Sequence, residues 1–166
     1  KQSYDVTAID ASAELIQWAQ WHNMSSKIDW HHLDFSGIEK QPWANKFTGI
    51  WACASLLHVP FLELPCIIEL LLETLTDEGV MYLSFKYGEG EQVDSERFFC
   101  DMNEPRWATV VAETSQVIEY DTWLSADKRA DCKDAWLNVV IKRESDHIRS
   151  SARWWVTTDN NWYITG

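Results

Sequence analysis

The sequence predicts an α/β fold in which a mainly parallel, doubly wound β-sheet carries helices on both faces. Predicted strands alternate with predicted helices along most of the chain, which is typical of this class. The segments Phe47–Ala54 and Val80–Phe85 are almost continuously apolar, as strands buried on both faces are. The last two predicted strands have no helix between them, which indicates an antiparallel hairpin at one edge of the sheet.

The individual elements follow from local signals, in the chain order β-α-β-β-α-β-α-β-β. β-Branched residues favour a strand over Tyr4–Ile9, and Ser12 supplies an N-cap for a helix over Ala13–Trp21. The strongest helix spans Leu62–Leu75, because it has a proline in its first turn and a glycine after its end. The other predicted elements are strands at 28–33, 117–124 and 135–142, a helix at 104–114, and loops at 34–44, 86–97 and 126–134.

Length and composition indicate one folded domain. The 166 residues correspond to about one domain, and 46% hydrophobic residues are enough for a sizeable core. We expect this domain to cover residues 1–143. Residues 144–153 are polar and predict a linker, and the Trp-rich segment 154–166 predicts an anchor or the start of another module.

Charge and cysteine usage limit the partners of this chain. A net charge of −12 disfavours nucleic-acid binding by this segment alone, because an acidic surface repels phosphates. No apolar run reaches membrane-spanning length, so no membrane partner is predicted. The cysteines have neither metal-ligand nor disulfide-framework spacing, which favours free thiols in a reducing cytoplasm; they are Cys53, Cys66, Cys100 and Cys132.

Acidic residues follow two consecutive predicted strands. Asp10 comes after the first strand, where doubly wound folds bind ligands, and its carboxylate can accept hydrogen bonds from ribose hydroxyls. Capping of the following helix explains Asp10 equally well. Asp34 follows the second strand beside Phe35, so this pair can bind an adenine amino group and stack on the base. An ordinary aspartate with a packed ring is the alternative, but an acid at both strand ends favours a nucleotide-like ligand.

The later motifs carry a family resemblance. The segment Ile50–Pro60 (IWACASLLHVP) resembles the fourth-strand motif of class I S-adenosylmethionine-dependent methyltransferases, particularly small bacterial ones of the tellurite-resistance type. Val80–Glu91 (VMYLSFKYGEGE) resembles the fifth strand and following loop of that family. Arg97–Glu104 and Trp136–Arg143 are similar to its later helix entry and final strand. The resemblance covers about residues 4–143 and implies a Rossmann-like fold, S-adenosylmethionine as cofactor and a small-molecule methyl acceptor.

The same resemblance implies roles for individual residues. It places the cofactor ribose at Asp10 and Ala11, and the adenine at Asp34 and Phe35. It also implies that Ala54, Ser55 and Leu56 form the loop beneath the methionine moiety. His58 falls where the family faces the substrate pocket, and Lys86 and Tyr87 would line the substrate side after the fifth strand.

His58 has two possible roles. As a general base it would need to reach the acceptor proton near the methyl donor. As a structural residue it would hydrogen-bond a loop carbonyl and fix the turn before Pro60, and this second role is slightly favoured. No metal site is predicted, because His31 and His32 are adjacent and would face opposite sides of a strand.

The family's first strand and its glycine-rich loop are not found in the residues before Asp10. That strand lies at the centre of the family's sheet, between the segments at 4–9 and 47–54. We therefore expect this chain to be a piece of a longer polypeptide that contains the missing strand. The alternatives are that the segment Trp154–Thr158 or a partner chain occupies the position of this strand. The competing functional hypothesis is a non-catalytic methyltransferase-like module used for packing or recruitment. A nicotinamide-dependent dehydrogenase shares the ribose acid but lacks the later motifs.

Overall fold

The structure is a computed structural model, and it describes residues 4–143 except 24–26, 95, 116–117 and 130–133. Strands and helices alternate through most of this part of the chain, which confirms the α/β class. The helices are α1 Ala13–His22, α2 Leu64–Thr74 and α3 Glu104–Glu113, with short 3₁₀ helices at Phe35–Lys40, Leu56–His58 and Phe61–Glu63. The strands are β1 Val6–Asp10, β2 Ile28–His32, β3 Phe47–Cys53, β4 Leu75–Lys86, β5 Gly90–Asp94, β6 Arg97–Asp101, β7 Ile118–Ala126 and β8 Ala135–Arg143.

Strands β1 and β2 form a parallel two-stranded sheet, in which Asp10 lies opposite His32. Helix α1 makes the crossover that a parallel pair requires. Ser12 caps this helix, since its side chain accepts a hydrogen bond from the Leu15 N–H at 3.2 Å. The predicted N-cap is therefore confirmed.

The larger sheet has four strands in the order β3-β4-β8-β7. β3 pairs with β4 in parallel, whereas β8 is antiparallel to both β4 and β7, which confirms the predicted terminal hairpin. Within the described residues this sheet is therefore not mainly parallel, in contrast to the sequence prediction, because its last two strands add antiparallel pairs. Helices α2 and α3 supply the hydrophobic core on one face of this sheet. Met81, Leu83 and Phe85 alternate along β4 and are fully buried, together with Ile68 of α2 and Trp107 of α3.

The opposite face of the four-stranded sheet carries aromatic side chains. Trp51 of β3 is 75% exposed and stacks on Tyr82 of β4, with ring centroids 4.1 Å apart. The prediction that Phe47–Ala54 is buried on both faces is therefore wrong, because no described element covers this face of β3. The Tyr82 hydroxyl donates to Asn138 Oδ1 at 2.7 Å, and the Trp123 ring lies 6.1 Å from the Tyr82 ring. We call Trp51, Tyr82 and Trp123 the aromatic face. Within the described residues, β1 and β3 each pair with a strand on one side only.

One sequence prediction is wrong in this region, and another differs from the structure at its ends. The predicted loop at 86–97 contains β5, which pairs with β6 in an antiparallel hairpin; Val93 lies opposite Phe98. Strand β5 is exposed over most of its length, so its polar residues lack the apolar alternation that marks a half-buried strand. The predicted helix Leu62–Leu75 ends at Thr74, because Leu75 starts β4 by pairing with Phe47.

The structure adds detail to one further prediction, and other predictions concern residues that it does not describe. The predicted loop at 34–44 contains the 3₁₀ helix Phe35–Lys40. The predicted linker and tail, with the segment Trp154–Thr158, lie outside the described residues. Among the helices that are described, none is long and apolar enough to cross a membrane.

Candidate functional site

The candidate site lies where the parallel strands end. Asp10 is the last residue of β1, Asp34 lies two positions after β2, Ala54 follows β3, and Lys86 ends β4. Carboxyl ends of parallel strands are the usual place for ligand binding in doubly wound sheets. Asp10, Asp34, Ala54 and Lys86 therefore lie at or just after the carboxyl ends of their strands.

Asp10 combines a capping contact with an apolar cleft. Its Oδ1 accepts a hydrogen bond from the Ser12 N–H at 2.7 Å, and its carbonyl accepts one from the Leu33 N–H at 3.0 Å. The neighbouring Ala11 carbonyl lies 3.0 Å from His32 Nε2. A cleft of about 290 Å³ opens beside Asp10; its lining includes Ala8, Ile16, Trp18 and Trp30. Asp10 thus supplies a carboxylate to a cleft with mainly apolar walls.

Asp34 caps the 3₁₀ helix that follows it. Its Oδ1 accepts hydrogen bonds from the Ser36 hydroxyl at 2.7 Å and the Gly37 N–H at 3.0 Å. These two hydrogen bonds lower the pKa of Asp34, so its carboxylate is ionised at neutral pH. The neighbouring Phe35 is half-buried and packs against the core, so part of its ring is committed to packing.

Ala54 turns the chain sharply at the end of β3. It has a φ of 50°, which is unusual for a residue with a Cβ, and its N–H donates to Ser84 Oγ at 2.8 Å. Ser84 is 2% exposed, so this hydrogen bond holds the turn from within the sheet. Ser55 follows half-buried, whereas Leu56 is fully buried in the core. Only the backbone of Leu56 can therefore face a ligand at this turn.

Replacing Ser84 by alanine is expected to destabilise this turn. The Ala54 N–H would lose its partner in a part-buried position, at a cost of roughly 1–3 kcal/mol in the free energy of unfolding. Ser84→Thr keeps the oxygen and serves as the matched control. Urea denaturation measures both variants, and equal losses for alanine and threonine would show that packing, not this hydrogen bond, sets the cost.

His58 is fixed by the β5–β6 hairpin. Its Nδ1 lies 2.7 Å from the Phe98 carbonyl oxygen, and its ring centroid lies 5.1 Å from that of Phe99. The Lys86 ammonium lies 5.0 Å from the same Phe99 ring and 3.5 Å from Asp134. Phe99 therefore joins two predicted site residues that are far apart in sequence. The sequence analysis did not select Phe99 as a site residue, although the apolar pair Phe98–Phe99 was a signal for it.

Tyr87 makes a separate contact with α3. Its hydroxyl donates to Glu104 Oε2 at 3.1 Å, and that contact with an acid raises the pKa of Tyr87.

The structure gathers the predicted site residues into two sets. Asp10, Ala11, Asp34 and Phe35 lie at the two-stranded sheet, while the four-stranded sheet carries Ala54, Ser55, Leu56, His58, Lys86 and Tyr87. Among the described residues, no group of three or more metal-ligating side chains converges.

Asp101 is a carboxylate that sequence reasoning did not select. Its Oδ2 accepts a hydrogen bond from Gln92 Nε2 at 2.8 Å, whereas its buried Oδ1 has no partner among the described residues. A Cβ on Gly88 would lie 3.1 Å from Asp101 Cβ, so glycine permits this close approach. Burial raises the pKa of Asp101, and the nearby Lys86 charge opposes that effect.

The raised pKa of Asp101 predicts a pH-dependent stability. The folded state binds this proton more tightly than the unfolded chain, whose aspartate pKa is about 3.9. The contribution of Asp101 to the free energy of unfolding therefore falls as the pH rises from about 4 through the raised folded value. Asp101→Asn keeps an acceptor for Gln92 and removes the titration. Urea denaturation across this range should show wild type losing stability relative to the variant, and a constant difference would contradict the assignment.

Comparison with known proteins identifies the fold. No protein-family model and no curated protein matches the sequence. Solved structures do match. The 1,6-didemethyltoxoflavin-N1-methyltransferase of Burkholderia thailandensis has a TM-score of 0.65 and 15% identity, with 86% of this chain and 62% of that chain covered. This chain therefore spans less than two thirds of the length of that enzyme.

Two further structures give the same result. A SAM-dependent methyltransferase from Methanosarcina mazei has a TM-score of 0.63 and 14% identity over 84% of this chain and 82% of that chain. A SAM-dependent methyltransferase from Leishmania major has a TM-score of 0.65 and 9% identity over 82% of this chain and 55% of that chain. At such identities a likeness concerns the fold alone. The chain therefore has the Rossmann-like α/β fold of the class I S-adenosylmethionine-dependent methyltransferases.

Proposed function

We propose that this chain is an S-adenosylmethionine-dependent methyltransferase domain that acts on a small-molecule acceptor, of the small bacterial tellurite-resistance type. The observation that carries the proposal is the pair Asp10 and Asp34 at consecutive carboxyl ends of this fold. The Burkholderia structure holds S-adenosylhomocysteine and 1,6-didemethyltoxoflavin, which supports both the cofactor and the acceptor class. The exposed thiols of Cys53 and Cys66 support a reducing, cytoplasmic location.

The residues present fit this cofactor in their chemistry. Asp10 and Asp34 each accept their side-chain hydrogen bonds through Oδ1, so Oδ2 is the atom that would meet a ligand. A carboxylate oxygen accepts hydrogen bonds from hydroxyl or amino groups, the donors of a ribose and an adenine. Capping and ligand binding are therefore compatible at both positions, and the two sequence alternatives need not exclude each other.

The protein's own contribution to the reaction is mainly alignment. When bound, S-adenosylmethionine supplies a methyl group already activated by the sulfonium charge, so the acceptor can attack it directly and no nucleophilic side chain of the protein is required. Asp10 and Ala11 would bind the ribose, and Asp34 with Phe35 would bind the adenine. The backbone at Ala54, Ser55 and Leu56 would support the methionine part. Lys86, Tyr87 and His58 would border the acceptor.

We also propose that a further strand completes the sheet between β1 and β3. Each of these strands has an unpaired edge within the described residues, and the neighbouring aromatic face leaves Trp51 75% exposed. Unpaired edges and exposed aromatic surface are normally covered in folded proteins. The occupant that we favour is a segment of the same polypeptide, since this chain spans 62% of the Burkholderia enzyme.

Hydrogen exchange of the β1 and β3 backbone amides tests this completion. If a covalently attached segment pairs with these edges, their amides should exchange slowly at every protein concentration. Protection that rises with concentration would instead identify a second copy of the chain as the occupant. Rapid exchange at all concentrations would contradict the proposal.

A calorimetric titration with S-adenosylhomocysteine tests the cofactor site. The expected result is that S-adenosylhomocysteine binds to the 166-residue chain and that replacing Asp10 weakens this binding. The competing function is a non-catalytic module that uses the methyltransferase fold for interaction, and the exposed aromatic face is the observation that favours it. Absence of binding in a folded chain would support that second function and refute the first.

A further inference from the structure

The β5–β6 hairpin holds the segment after β3 at two points. Phe98 of β6 places its carbonyl oxygen 2.7 Å from His58 Nδ1, and Glu91 Oε1 of β5 accepts a hydrogen bond from the Phe61 N–H at 2.7 Å. The two contacted residues of the segment after β3, His58 and Phe61, are three positions apart. The hairpin therefore restrains both the position and the ring orientation of His58.

Arg106 strengthens the same attachment. Its guanidinium lies 4.1 Å from the centroid of the Phe61 ring, and its Nε donates to the Asp101 carbonyl oxygen at 3.1 Å. The side chain thus links α3 to the end of β6 and to the held segment at once. His58 itself contacts β6, and β5 and α3 hold Phe61 three positions later, although His58 is exposed.

The Phe98 contact determines which nitrogen of neutral His58 carries the proton. A carbonyl oxygen only accepts hydrogen bonds, so Nδ1 must be the donor. Neutral His58 is then left with a lone pair on Nε2, and no described residue donates to that atom. A lone pair on Nε2 that accepts no hydrogen bond from the protein can take a proton from a bound ligand.

The surroundings of His58 indicate which acceptor would give up that proton. The Phe99 ring offers an aromatic surface 5.1 Å from the His58 ring, and the Lys86 ammonium lies 5.0 Å from the centroid of the same ring. An aromatic ring packs against such a surface, and the Lys86 ammonium, which also pairs with Asp134 at 3.5 Å, attracts an oxygen that loses its proton. These three side chains together suit an aromatic hydroxyl.

We propose that the β5–β6 hairpin, through the Phe98 carbonyl and Glu91, positions His58 to take a proton from an aromatic hydroxyl acceptor. This inference rests on the methyltransferase function proposed above and specifies its acceptor class. The O–H bond breaks, the proton passes to Nε2, and the electron pair stays on oxygen to form the new bond to the methyl carbon. The pair of the methyl–sulfur bond leaves with sulfur, and His58 later releases its proton to water.

Nitrogen-15 NMR of the histidines tests the positioning directly. In the wild-type chain the neutral form of His58 should carry its proton on Nδ1, opposite to the preference of free histidine. Glu91→Gln retains an acceptor for the Phe61 N–H and should keep this tautomer. Glu91→Ala removes the acceptor and should produce a mixture of tautomers. A wild-type proton on Nε2, or identical spectra for the alanine and glutamine variants, would overturn the role of the hairpin.

Titration with phenol tests the acceptor class, with anisole as the same ring lacking the hydroxyl proton. Phenol should move the His58 Nε2 resonance toward that of a protonated nitrogen, and anisole should not. No shift with phenol, or the same shift with both, would overturn the acceptor class. S-adenosylhomocysteine affinity should stay within about twofold in His58→Gln, a difference of about 0.4 kcal/mol. If the wild-type chain does not bind S-adenosylhomocysteine, the proposed cofactor site is refuted. A failure of the proposed function can therefore be distinguished from a failure of the proposed acceptor class.

Discussion

Replacing Trp107 by alanine is expected to lower the free energy of unfolding by about 3–5 kcal/mol, the cost of a large buried aromatic residue. Trp107 is fully buried in α3, and its ring centroid lies 6.1 Å from those of both Phe85 and Tyr120. The residue thus joins α3 to β4 and β7. A loss of this size is a large share of the roughly 5–15 kcal/mol that stabilises a typical domain.

Trp107→Phe is the matched control for this prediction. The Trp107 Nε1 is buried without a hydrogen-bond partner among the described residues, so phenylalanine removes an unsatisfied polar group as well as ring volume. Relief of that penalty, roughly 1–3 kcal/mol, offsets part of the lost packing. Urea denaturation followed by circular dichroism measures both variants, because 11 tryptophans make fluorescence ambiguous. Equal losses for alanine and phenylalanine would contradict this account.

Replacing Asp10 by alanine is expected to weaken S-adenosylhomocysteine binding by about tenfold to one hundredfold. A hydrogen bond to a charged group contributes roughly 1.5–3 kcal/mol, and each 1.4 kcal/mol is a factor of ten in affinity. Asp10 is the carboxylate that lines the cleft of about 290 Å³ beside α1. Calorimetric titration of both proteins gives the two dissociation constants.

Two controls separate a ligand contact from a general effect of charge or stability. Asp29→Ala removes the same charge from β2 of the same sheet, at a position that lies opposite Thr7 rather than at the carboxyl end. That variant should bind with nearly unchanged affinity. Circular dichroism of Asp10→Ala checks that losing the Ser12 hydrogen bond leaves α1 intact. Equal affinity in wild type and folded Asp10→Ala would show that Asp10 does not bind the ligand.

Local sequence signals were sufficient where one element depends on its own residues. Ser12 supplies a helix cap within three residues, and its predicted role is confirmed. The apolar segment Val80–Phe85 indicated a buried strand, since a short apolar run is typical of a strand that packs into a core. Strand β5 was missed because it is held by pairing with β6 and its exposed residues carry no periodic signal.

The sequence by itself determined the α/β class, the order of most elements and the acids at the strand ends, because capping, hydrophobic periodicity and turn residues act over short stretches of chain. Only the tertiary structure decided that His58 meets the Phe98 carbonyl, a residue 40 positions later. It also brought Phe99 between His58 and Lys86, and it left Trp51 exposed on the aromatic face. Such contacts depend on strand register and sheet order, which are set by long-range pairing that no short segment encodes.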